Sequence, residues 1–161
     1  MLNTESHKDI VVTGLERYLK RTVVRTNQTA EMPAFPFLGF NITTLATENK
    51  GTYGEYEDGK ARKPVLQTYS FTAHSDKYYE AVELANEARS WLDFVGTEYL
   101  NDNDVVVQSV GNVTDRSNLL TTGYIYSFGF DCVFCMWDEI SLAAIESGEI
   151  ETVTIQENIE L

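Results

Sequence analysis

From Thr122 to Trp137 the chain alternates without a break, with Tyr124, Tyr126, Phe128, Phe130, Cys132, Phe134 and Met136 on one side. Ile125, Ser127, Gly129, Asp131, Val133, Cys135 and Trp137 fall on the other. Successive strand residues point to opposite faces, so an unbroken apolar side of period two predicts a strand laid against a core. Pro64 to Ala73 alternates in the same way, Val65, Gln67, Tyr69, Phe71 and Ala73 against Leu66, Thr68, Ser70 and Thr72, and predicts a second strand. The β-branched and aromatic stretch Pro36 to Thr47, with a proline at its mouth, predicts a third, hairpinned to the second. The intervening residues 48–63 are rich in Gly and charge and are expected as a long exposed loop. Asp104 to Val110 predicts a further strand, followed by turn residues Gly111 to Asn118.

Helical spacing occupies the stretches between. Asp9 to Lys20 sets Val11, Leu15, Tyr18 and Leu19 on one stripe despite Gly14. Lys77 to Phe94 carries two adjacent stripes, Tyr78, Val82, Ala85, Leu92 and Ala81, Leu84, Ala88, Trp91. Ser75 or Asp76 is a suitable N-terminal cap and Gly96 the expected stop. So broad an apolar face suits a helix lying across a sheet. "DEISLAAIESG", Asp138 to Gly148, reads as a short helix and "IETVTIQ" as a last edge strand. The order predicts an α+β fold, helices packed on a largely antiparallel or mixed β-sheet, in one domain over 1–161.

The charge changes which partners fit. With 25 acidic and 12 basic residues the formal net charge is −13, which argues against tight binding to a phosphate backbone. It is also uneven: Arg116 is the last base, and the C-terminal segment 149–161 is acidic. No apolar run approaches a membrane span, and the N-terminus lacks the pattern of a signal peptide, so a membrane partner is not expected. Asn27-Gln28-Thr29, Asn41-Ile42-Thr43 and Asn112-Val113-Thr114 are then chance matches to a glycosylation site.

Candidate chemistry is sparse. Cys132 and Cys135 form a CxxC pair, but three residues apart on a strand they face opposite ways and cannot readily share a metal or bridge. The expectation is two structural thiols, Cys132 in the core. His74-Ser75-Asp76 collects residue types found in catalytic triads, yet neighbours in a strand-to-helix turn do not converge. Glu80, Glu83 and Glu87 share a helical face that reads as solvated, since no histidine joins them. Arg17, Lys20, Arg21 and Arg25 form a basic patch at the end of the first helix. It is read either as charge favourable to a helix C-terminus or as a contact with acids of a neighbouring copy, for which Glu146, Glu149 and Glu151 are candidates. Tyr53 and Tyr56 are the expected aromatic anchors of the exposed loop. No phosphate loop, dinucleotide fingerprint or zinc motif occurs, so neither a cofactor nor an enzymatic activity is expected.

Four segments in order, "FPFLGFNIT" (Phe35 to Thr43), "YSFTAHSDKYYEAVELANEARSWLDFVG" (Tyr69 to Gly96), "VVVQSVGNVTDRSNLL" (Val105 to Leu120) and "GYIYSFGFDCVFCMWDEI" (Gly123 to Ile140), resemble the phage neck terminator, or tail terminator, family of long-tailed bacteriophages. The shared pattern is an aromatic strand running through a "GFD" step, preceded by an Ala-rich helix that ends in an aromatic and Gly. The resemblance implies a tail-terminator-like fold and a non-enzymatic virion protein, present in the host cytoplasm during assembly. It implies a homohexameric ring that caps the tail tube and meets a head-side connector or stopper protein, with DNA passing through its lumen. A tail-tube or other connector subunit, and more remotely a small cytosolic enzyme, are the alternatives.

Overall fold

The computed structural model describes residues 2–26, 31–48, 54–56, 59–120 and 123–141, with backbone alone at 48, 55, 56, 118–120 and 123. Its centre is one long antiparallel ladder. Strand β4 (Lys60–Ser75) pairs with strand β8 (Gly123–Ser141) in continuous register from Lys60↔Ser141 to Ser75↔Tyr126. The alternation read from the sequence is the burial pattern. Val65, Gln67, Tyr69, Phe71 and Ala73 on β4 are buried, as are Phe128, Phe130, Cys132, Phe134 and Met136 on β8. Phe71 pairs directly with Phe130, their ring centroids 5.6 Å apart, and Tyr69 meets Phe134 edge-on at 5.0 Å. Each such ring taken out of water contributes on the order of 2–3 kcal/mol. Gln67, the polar member of this face, is accommodated because its Nε2 donates to the Leu45 carbonyl at 3.0 Å.

Strand β2 (Phe37–Glu48) lies antiparallel to β4 on the other side, so the expected pairing of these two strands is present. The short β1 (Val23–Arg25) runs parallel to β2, which makes the sheet mixed. Beyond β8 comes β5 (Val106–Val110), giving the order β1-β2-β4-β8-β5. β6 (Thr114–Asp115) and β7 (Asn118–Leu120) add short pairings to β8 within the stretch expected as turn.

Helices cover one face. Helix α1 (Thr4–Leu19) begins earlier than its apolar stripe because the Asn3 side chain accepts from Ser6 N–H at 3.1 Å, and Lys20, in the left-handed region, ends it. Val11, Leu15 and Leu19 are buried, whereas Tyr18 is exposed. Gly14 is required rather than tolerated: a Cβ there would fall 2.6 Å from the rings of Trp91 and Tyr99. Helix α2 (Tyr78–Ser90) buries Ala81, Leu84, Ala85 and Ala88 over β4 and β8. Its last turn widens into a π-turn, Trp91–Val95, and instead of stopping at Gly96 the chain continues as α3 (Thr97–Asp102). The wide turn re-phases the helix, so Trp91 and Leu92 stay buried while Phe94 and Val95 turn outward.

Two expectations need correction. Residues 48–63 are not all loop, because β3 (Gly54–Tyr56) pairs with Arg62–Lys60 at the start of β4. Nor does a helix begin at Asp138, since β8 runs on to Ser141. The two departures share a cause: Lys60 and Arg62 approach Glu139 across the ladder at 3.0 and 3.3 Å, and these opposite charges favour strand where local propensity alone reads loop and helix. The rest of the expected helix and the expected edge strand at 150–156 lie outside the described residues.

Candidate interaction surfaces

The early bases do not gather at one point. Arg17 is in the last turn of α1, Lys20 and Arg21 occupy the turn after it, and Arg25 ends β1. Arg21 and Arg25 are therefore about 13 Å apart along an extended chain. All four are exposed, and none joins an ion pair among the described residues. The turn between helix and strand is fixed by Glu16, whose Oε1 accepts from Val23 N–H at 3.1 Å. Beside it Lys8 of α1, paired with Asp9 at 2.6 Å, lines with Glu5, Arg25, Val12, Val24 and Phe40 a groove between α1 and β1. Sequence spacing made this a patch at a helix end; the turn into an edge strand makes it a line.

At the opposite edge, Phe94, Val95 and Val106 are 80%, 51% and 48% exposed. Asp93, Glu98, Asp102 and Asp104 surround them in the chain, all exposed. This surface was missed in the sequence. The signal was there, because Trp91, Leu92, Phe94 and Val95 put four apolar side chains into five residues, more than one face of a helix accommodates.

The sheet face away from the helices is apolar toward Leu66, Cys135 and Trp137 and polar around Ser70, Thr72 and Asp131. Arg116 spans the polar part, donating from Nη1 to Ser70 Oγ at 2.7 Å and Thr72 Oγ1 at 3.1 Å and pairing through Nη2 with Asp131 at 3.2 Å. Gly129 makes room for this reach, since a Cβ there would sit 2.8 Å from Arg116 Nη1 and 2.4 Å from the Phe71 carbonyl oxygen. At the start of α2, Tyr78 stands at the centre of an aromatic cluster, with its ring 5.0 to 5.5 Å from Tyr79, Tyr126 and Phe128. Tyr79 is 76% exposed.

The other sequence candidates separate in space. Cys132 is buried on the helix side and Cys135 half-buried on the other face, as the strand period requires. Burial pushes the Cys132 thiol up to about 12 and raises that of Cys135 as well, so neither is activated. His74 points away from its neighbour Ser75. Its Nδ1 shares a hydrogen bond with Ser127 Oγ at 2.8 Å, while Ser75 Oγ accepts from Lys77 N–H ahead of α2. Burial lowers the His74 pKa, which keeps the ring neutral. Glu83 and Glu87 are exposed and Glu80 is half-buried; among the described residues no three His, Cys, Asp or Glu side chains converge as metal ligands. Tyr53, Glu146, Glu149 and Glu151 lie outside the described residues, and Tyr56 is placed by its backbone in β3.

Among the described residues no helix is long and apolar enough to cross a membrane. No curated protein matches the chain. The family model of the phage neck terminator protein matches residues 9–160, which take in α1 from its second turn, the whole sheet and both edges, and the chain therefore belongs to the phage neck terminator protein family.

Proposed function

We propose that the protein works as a ring, capping the tail tube and joining the tail to the head-side connector in the phage neck. The observation that carries this reading is the family match over residues 9–160, which makes the chain a structural protein of the neck and hence of the virion. The fold supports it physically. A sheet covered by helices on one face and ending in a short strand at each side has two different edges, the requirement for a contact that repeats from subunit to subunit. The net charge of −13 supports passage of DNA without adhesion, since acids lining a lumen repel a polyanion. In this reading the partners are further copies of the chain, the tail tube protein and a connector or stopper protein, and assembly takes place in the host cytoplasm. The early bases belong to the subunit contact, with Tyr53 and Tyr56 on the tube side or against a neighbour.

Negative-stain electron microscopy of the purified protein, alone and mixed with tube protein, tests this. Closed rings that seat on tube ends are expected. Particles that stay single at all concentrations, with and without tubes, overturn the ring; rings that stack into long tubes unaided assign the chain to the tube itself.

A further inference from the structure

The two ends of the sheet carry opposite formal charge. From Glu16 to Thr26 the chain carries Arg17, Lys20, Arg21 and Arg25 against one acid, a formal +3 from 4 − 1. That acid, Glu16, is engaged by Val23 N–H. From Arg89 to Val110 it carries Asp93, Glu98, Asp102 and Asp104 against one base, a formal −3 from 1 − 4, and that base, Arg89, is engaged by Asp93 and by the Val110 and Gly111 carbonyls. The first segment forms the β1 edge and the second the β5 edge, the opposite ends of the strand order. Each edge strand has a neighbour on one side only among the described residues, so its outer backbone groups face outward as a template for a further contact. At the β5 edge Phe94 and Val95 are exposed on the helix side with Asp93 and Glu98 beside them in the chain, an apolar centre with a charged rim, while Val106, paired with Cys135, is exposed on the face away from the helices. At the β1 edge Val12 and Val24 line a groove floored by Phe40 and flanked by Arg25, by Glu5 and by Lys8, the last paired with Asp9, so the basic character of this edge rests on Arg17, Lys20, Arg21 and Arg25.

We propose that these two surfaces bind each other between copies of the chain, the basic β1 edge of one subunit against the acidic β5 edge of the next. This rests on the ring reading and adds to it which surfaces meet. Charge decides among the possible pairings. A two-fold contact of β1 edges sets base against base, and one of β5 edges sets acid against acid. Only the head-to-tail pairing is attractive, and it leaves a free edge at each end for the next copy until the ring closes. The apolar centres supply the contact area, and the charges set orientation and exclude the two-fold alternatives.

The full-length chain provides the test through two variants, R21E/R25E and D93K/E98K/D102K. The first sets Glu16 and two added glutamates against Arg17 and Lys20, and the second sets three added lysines against the remaining Asp104, so the first has two acidic edges and the second two basic ones. Each alone should associate at least about tenfold more weakly than the wild type in sedimentation velocity at low salt. Mixed in equal amounts they should assemble again, because every contact then joins an acidic edge to a basic one in strict alternation around a ring of even number. Raised salt should weaken the wild-type assembly as well. Circular dichroism checks the fold. Should a reversal unfold the chain, the neutral variants R21Q/R25Q and E98Q/D102N and the salt series on the wild type carry the test, with weakened association expected from each. Rings that persist in the single variants, or variants that fail to recover on mixing, overturn the edge pairing and leave the ring standing. A wild type that stays monomeric at every concentration, alone and with tube protein, overturns both.

Discussion

The two ends of the β4–β8 ladder have the same backbone pairing and are held by different forces. From Val65↔Met136 to Ala73↔Phe128 the inward side chains are packed beneath helices, and Tyr69, Phe71, Phe130 and Phe134 are at most 1% exposed. From Lys60↔Ser141 to Pro64↔Trp137 the ladder continues on charge and stacking. Glu139 lies between Lys60 and Arg62, and the Arg62 guanidinium sits 5.7 Å from the centre of the Trp137 ring. Ladder hydrogen bonds exchange for hydrogen bonds to water on opening, so their net contribution is small and the side chains set the stability of each end. The helix-covered end is therefore a fixed platform and the other end an arm that opens at lower cost.

The largest effects belong to the platform. Phe130→Ala leaves a cavity between Phe71 and α2 and should cost about 3–5 kcal/mol, read as a fall in the denaturant midpoint without change in slope. Cys132→Ala removes a smaller side chain that is 0% exposed and should cost about 1 kcal/mol. Cys135→Ser, three residues on and half-buried on the other face, should cost less. A cost for Cys135→Ser equal to that of Cys132→Ala would mean that both faces of the ladder are core.

This contrast also governs what the sequence made legible. The platform is encoded locally: Tyr126 to Met136 alternates within one strand, Ala81, Leu84, Ala85 and Ala88 repeat within one helix, and each pattern implies its own buried face. The arm is encoded by residues far apart in the chain. Asp138 and Glu139 read as the start of a helix until Lys63 and Arg62 are known to lie opposite them. The π-turn was invisible for a similar reason, since its extra residue answers to the packing of Trp91 against Gly14 and Tyr99. Of the candidate contact residues, Arg17, Lys20, Arg21 and Arg25 were identifiable as charges, but their arrangement along one edge depends on β1, a three-residue strand without a periodic signal. Phe94 and Val95 were assigned to a helix end and emerge as the exposed centre of the other edge.

A third test is set at the platform's border, where His74 pairs with Ser127 and its ring lies 5.0 Å from that of Phe37. Burial lowers the folded pKa of His74 below its ordinary 6.5, and burial likewise lowers that of His7, partly offset by Asp104. A depressed histidine pKa means that the unfolded chain binds the proton more readily. The stability is thus complete above about pH 6.5 and is lost as the pH falls through that value toward the folded pKa. Thermal melts should show a decline over this window. His74→Gln, which retains a hydrogen-bonding group toward Ser127, should flatten part of it; an unchanged decline would place the effect on His7.

The smallest expected effect tests the arm. Hydrogen bonding to Lys60, with the nearby Arg62, holds the Glu139 carboxyl below the usual glutamate range. For a carboxylate with a depressed pKa, the contribution is present above the unfolded value, 4.5 for this group, and is lost as the pH falls through the folded one. Exposed ion pairs are screened and weak, so global melting should move little. The change should instead appear locally, because Trp137 lies diagonally across the ladder from Arg62, which it shares with Glu139. The Trp137 indole N–H signal should shift as the pH drops below about 4.5, and high salt should shift it in the same direction at neutral pH. Glu139→Gln should show the shifted position at neutral pH and lose the dependence on both pH and salt, while the signal of Trp91, buried under α1, stays in place in all conditions. A Trp137 signal indifferent to Glu139 would mean that the arm is held by backbone pairing and by the stacking of Arg62 alone, and the difference between the two ends of the ladder would then lie only in burial.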